Sequence, residues 1–75
     1  MARYRVDVHC HMVVHLDVEA PSSEVAEKWA QSSAALSHIE AYNQEAYNVQ
    51  VRNVAQLNDH AKVDVLLDEQ GKEVQ

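Results

Sequence analysis

Apolar and polar residues alternate along the first quarter of the chain. Tyr4, Val6, Val8, Cys10, Met12, Val14, Leu16 and Val18 are apolar, while Arg5, Asp7, His9, His11, His15 and Asp17 between them are polar, with Val13 the one exception. Side chains of a strand point to opposite faces in turn, so the pattern predicts a strand with a buried even-numbered face and a solvated odd-numbered face. No Gly, Pro or Asn-Gly pair interrupts it, and no hairpin is expected inside it. Fifteen residues at about 3.3 Å each span roughly 50 Å. A compact chain of 75 residues has a diameter of only roughly 30 Å. The strand is therefore expected to bend at a bulge around Met12–Val14, or to project into the sheet of a neighbouring subunit.

A break follows at Glu19–Ser23. Pro21 cannot donate to a sheet ladder and fits just before a helix. Ser22 or Ser23 is placed to cap that helix, with Glu24 and Glu27 near the positive end of its dipole. Val25, Trp29, Ala30, Ser33 and Leu36 then recur at helical spacing, beside Ala26 and Ala34, which predicts one helix from residue 23 to about residue 38. A short tandem repeat, Glu40-Ala41-Tyr42-Asn43-Gln44 followed by Glu45-Ala46-Tyr47-Asn48-Val49, fits neither helix nor strand and is expected to be a connector.

Period-two alternation returns at Tyr47, Val49 and Val51, slips at Asn53–Val54 as at a bulge, and ends at Leu57. Asn58-Asp59-His60 has turn chemistry. Val63, Val65 and Leu67 predict a further strand, and Asp68-Glu69-Gln70-Gly71 a turn with Gly where a positive φ is easiest. Val74 can add only a stub. The order β-α-β-β predicts an α+β fold in one domain over residues 1–75, with an antiparallel sheet, one helix packed on one face and a long bent first strand.

Composition narrows the partners. The net charge is −6, and Arg3 and Arg5 are the only close basic pair. Binding to nucleic acid or to an anionic membrane surface needs clustered Lys and Arg, so neither is expected. No apolar run approaches the length of a membrane span. Cys10 is the single cysteine. It excludes an intramolecular disulfide, suits a small core position and fits a reducing cytoplasm. A chain this short buries only about 60% of its unfolded surface, so its core alone is marginal and association with a second copy is expected to supplement it.

The segment Val6-Asp7-Val8-His9-Cys10-His11-Met12-Val13 resembles the His-x-His of the first strand of metal-dependent amidohydrolases. That resemblance would make His9 and His11 metal ligands. It covers only this segment, and the chain is too short for the barrel of that family, which takes about 250 residues. A simpler metal reading uses His9, His11 and His15, which share one face of the predicted strand and suit Zn²⁺ or Ni²⁺ if a second chain completes the ligand set. Trp29, Tyr42 and Tyr47 are candidate interface residues, with Trp29 equally suited to the core.

No convergent nucleophile, base and oxyanion donors are visible, and the one Gly excludes a Gly-rich phosphate loop. The chain reads as a small cytoplasmic binding or regulatory protein, such as an accessory protein of a mobile element, non-catalytic, without a cofactor and forming a homo-oligomer of two or more copies. Two other functions fit the same residues. One is an acidic inhibitor covering a basic surface of a nucleic-acid-binding protein. The other is a metal-binding module acting through the histidine face.

Overall fold

The structure, a computed structural model, describes residues 1–9, 13–40 and 50–74. It is a small α+β fold in which β1 (Ala2–His9), β2 (Val13–Ala20), β3 (Gln50–Gln56) and β4 (Val65–Leu66) form a mixed sheet in the order β3-β1-β2-β4. Helices α1 (Ser23–Ala30) and α2 (Ser33–Glu40) lie between β2 and β3 in the chain.

The long first strand is a correction. It is an antiparallel hairpin, β1 with β2, running from Ala2↔Ala20 to His9↔Val13. Each pair joins two even-numbered or two odd-numbered residues. An odd number of residues between the strands keeps the parity, so the alternation runs through the reversal without a break in phase. The two arms bury the same even-numbered face: Tyr4, Val6 and Val8 from β1, and Val14, Leu16, Val18 and Ala20 from β2. Folding the strand back also removes the conflict of lengths, because the molecule measures 31 Å along its longest axis, with a radius of gyration of 11.3 Å. The bulge expected around Met12–Val14, the inward direction expected for Cys10, and the connector expected over 40–49 fall wholly or partly outside the described residues.

The single helix is also corrected to two. Ser22 caps α1, its Oγ accepting from the Val25 N–H at 3.3 Å while its own backbone is extended. At the other end the Trp29 carbonyl accepts from both the Ser32 N–H, at 2.9 Å, and the Ser32 hydroxyl, at 2.6 Å. That three-residue closure competes with the α-helical pattern and ends the helix. The break re-aims the apolar stripe. Ala26, Trp29 and Ala30 are buried in α1 and Ala35 and Ile39 in α2, whereas Ser33 and Ala34, which would continue the stripe of α1, are exposed.

The phase slip in the third strand is a β-bulge. Asp7 pairs with Asn53 but Val8 pairs with Val51, leaving Arg52 as the extra residue. The bulge lets Val51 and Val54, three apart, both pack against the core. The last strand is shorter than predicted and runs parallel to β2, pairing Val18↔Val65 and Glu19↔Leu66, so the sheet is mixed where an antiparallel one was expected. The extra reversal inside the first segment gives β2 the direction that both β3 and β4 share. Residues 58–64 carry the chain from one edge of the sheet to the other, starting with the expected turn, where the Asn58 side chain accepts from the His60 N–H at 2.9 Å. Arg3 holds this crossover, donating from Nη1 to the Ala61 carbonyl at 2.6 Å.

Candidate interaction surface: the outer sheet face and its edges

The helices cover the even-numbered face of the hairpin, and the odd-numbered face looks outward. Its charges meet in pairs across β1 and β2. Arg3 Nε lies 3.4 Å from Glu19 Oε1. Arg5 forks onto Asp17, with Nε to Oδ1 at 2.8 Å and Nη2 to Oδ2 at 3.1 Å. Asp7 Oδ1 lies 3.3 Å from His15 Nε2. Each pair is a direct cross-strand neighbour, the arrangement in which opposite charges support a sheet. The hydrogen bond and charge of Asp17 raise the pKa of the Arg5 guanidinium, which stays protonated. On β1 and β2, Asp7, Asp17 and Glu19 are thus each turned to a cation or an imidazole of the same molecule.

The three histidines proposed for metal divide. His9 and His15 stand on the outer face of paired strands as diagonal neighbours, since His9 pairs with Val13 and Asp7 with His15. His11 lies outside the described residues. Among the described residues no group of three or more His, Cys, Asp or Glu side chains is gathered to hold a metal ion. Trp29 is 4% exposed and sits in the core, its ring 5.6 Å from that of His38. Tyr42 and Tyr47 lie outside the described residues.

Among the described residues, clefts open at the surface. One, of about 300 Å³, lies between α1 and the Gly71 turn, with Lys28 and Trp29 on one wall and Gln70 on the other. The second, of about 230 Å³, lies between β2 at His15 and Asp17 and α2 at His38. Ser37 and Asp64 also line the second cleft. His38 Nε2 lies 2.6 Å from Glu73 Oε1.

The two edges of the sheet differ. Beyond β4 the chain turns at Gly71 and comes back. Leu67 bridges Glu73, the Val74 N–H donates to Leu66 at 2.8 Å, and the Asp68 N–H donates to Lys72 at 2.8 Å. The tail therefore takes up the outer side of Leu66–Asp68. At the other edge β3 has seven residues, and Gln50, Arg52, Asn53, Ala55 and Gln56 are all exposed. The Leu57 N–H donates to the Arg3 carbonyl at 2.7 Å. In an antiparallel ladder inward and outward residues alternate, so Ala55 bonds to β1 while the backbone groups of Val54 and Gln56 face away from the sheet.

The composition of this strand was open to inspection from the start: Gln-Val-Arg-Asn-Val-Ala-Gln carries one cation, no anion and no Pro. Nothing in it marks the strand as an edge, because strand order is not written in a periodicity.

No family model, no curated protein and no solved structure matches this chain. Among the described residues no helix is long and apolar enough to cross a membrane.

Proposed function

We propose that this chain is a non-catalytic binding protein that associates with itself through the free edge of β3, serving as a regulatory or accessory subunit in the reducing cytoplasm. One observation carries it: the β4 edge is occupied by the chain's own tail, while among the described residues no strand lies outside β3, five of whose seven residues are exposed. Natural sheets blunt an exposed edge with Lys, Pro, short length or inward charge. This one has a bulge at Arg52 and a regular, uncharged stretch after it. The local charge matters because two copies each carry −6, and their acids would repel at most other surfaces. Asn53, Val54, Ala55 and Gln56 put no anion in the way.

The length of the first segment no longer argues for assembly, since the hairpin accounts for it. The small core still does. A single hydrophobic core in a domain this small seldom supplies more than about 3–5 kcal/mol, and continuing the sheet into a second copy adds backbone hydrogen bonds and covers the half-buried Val54.

The test is the mass of the untagged protein by native mass spectrometry and light scattering, beside Gln56→Pro. The Gln56 N–H faces away from β1, so proline removes an intermolecular donor and no internal one. A dimer or larger even assembly that becomes monomeric in Gln56→Pro, with its far-UV circular dichroism kept, is the expected result. A wild-type monomer at 100-fold the working concentration rules the proposal out.

A further inference from the structure

The edge carries more than an outline of a contact; it fixes a register. Resting on the self-association proposed above, we infer that two copies pair β3 antiparallel to β3 with the two-fold axis at Ala55, so that one sheet runs through both molecules.

The derivation starts from the outward backbone groups. In the regular part of the strand these belong to Val54 and Gln56, because Leu57 and Ala55 are engaged with Arg3 and Arg5 of β1. A two-fold antiparallel pairing is defined by the residue that meets its own copy. With Val54 at the axis, Gln56 would meet the partner's Arg52, the bulged residue, where the ladder is out of step. With Gln56 at the axis, Val54 would meet the partner's Asn58, which lies beyond the end of β3 and begins the crossover turn. With Ala55 at the axis, Val54 of each copy meets Gln56 of the other, and every outward N–H and C=O of both residues is used in both copies.

Side-chain size agrees. In that register Ala55 faces Ala55 as a non-hydrogen-bonded pair, the type with the closer approach, about 4.5 Å between Cα atoms. The small methyl of alanine suits the axis, where a long side chain would meet its own copy. On the inner face the stem of Gln56 lies against Val54 of the other copy, covering apolar surface that a monomer leaves half-exposed. Arg5, the neighbour of Ala55 on β1, is already neutralised by Asp17 and brings no net repulsion to the axis.

The experiment is disulfide trapping in a Cys10→Ser background, which leaves no native thiol. The central Cα separation falls within the roughly 4.4–6.8 Å that a disulfide spans. Ala55→Cys is expected to cross-link to a covalent dimer under mild oxidation, and Asn53→Cys, whose two copies would be offset along the strands, is expected to stay reduced. In the unmodified protein, amide hydrogen exchange provides a readout independent of any variant. The Val54 and Gln56 amides are expected to slow at least tenfold on going from dilute to concentrated protein, and the Ala55 amide to be slow at both. A dimer by native mass in which Ala55→Cys fails to cross-link, or in which Asn53→Cys cross-links instead, overturns the register and leaves self-association standing. A monomer by native mass, with the Val54 and Gln56 amides fast at every concentration, overturns both.

Discussion

Gly71 lies against Val25. A Cβ added at Gly71 would stand 3.1 Å from Val25 Cγ1, and the backbone there has φ of +79°. The turn that closes the β4 edge is thus pressed against the first turn of α1, in a conformation that only glycine adopts without strain. Replacing Gly71 by Ala is expected to cost about 1–3 kcal/mol through the backbone strain alone, a large fraction of the stability of so small a domain. Urea denaturation followed by Trp29 fluorescence measures it. Adding Val25→Ala should restore only the part due to the steric contact, because the positive φ remains. Full restoration would mean that the backbone angle carries no cost.

The same turn gives a pH dependence with a definite sign. Asp68 Oδ1 accepts from the Lys72 N–H at 3.0 Å and the Gln70 N–H at 2.8 Å. These bonds, that from Lys72 first, hold the Asp68 pKa below the ordinary aspartate value of 3.8. A carboxyl with a lowered folded-state pKa binds its proton more readily in the unfolded chain. Its contribution is therefore complete above the ordinary value and is lost as pH falls through the folded-state value. Asp68→Asn keeps the acceptor without the charge. Urea midpoints of wild type and variant are expected to differ at pH 7 and to converge at the acid end of the range over which the protein stays folded. A difference independent of pH would show that the charge has no part in it.

How far the fold was legible depended on which symmetry each signal obeyed. The two faces of the first segment were readable residue by residue: Tyr4 through Val18 at even positions face inward wherever the structure describes them. The reversal inside that segment was not, because pairing even with even leaves the alternation in phase through the turn and the sequence there lacks Gly or Asn-Gly. The helix start was readable from Pro21 and Ser22, but the break at Ser32 was not, since a serine in a helical pattern looks the same whether or not its hydroxyl donates to the carbonyl three residues back. The bulge in β3 showed as a slip at Asn53–Val54, next to the Arg52 that the register assigns. The open edge needed strand order, which pairwise long-range contacts decide and no local pattern encodes.

Ile39 tests whether α2 is part of the core or an ornament. Its side chain is fully buried and belongs to one cluster with Val6, Val18 and Leu67. Ile39→Ala leaves a cavity and is expected to destabilise by about 2–5 kcal/mol, enough to unfold much of the protein at 37 °C. Thermal denaturation by circular dichroism should show a drop of about 8 °C or more in Tm, given roughly 4–8 °C per kcal/mol for a domain of this size. A drop of only 1–2 °C would mean that α2 is loosely docked and that the sheet and α1 make the core without it.

The Arg5–Asp17 fork sets one rung of the hairpin, and its sign pattern can be reversed. Arg5 and Asp17 are direct partners across β1 and β2, and neighbouring rungs join Arg3 to Glu19 and Asp7 to His15. Like charges directly opposite are destabilising in a sheet. Arg5→Glu therefore sets a carboxylate against Asp17 beside Asp7, and its urea midpoint is expected to fall below wild type. Asp17→Arg alone sets two guanidinium groups face to face and should also lower the midpoint. The double variant Arg5→Glu/Asp17→Arg restores opposite signs and is expected to recover most of the loss, so the effects of the two changes are far from additive. Because the pair lies at the surface, 0.5 M NaCl should narrow all of these differences. Additive losses that salt leaves untouched would show that side-chain packing, and not the paired charges, holds this rung in register.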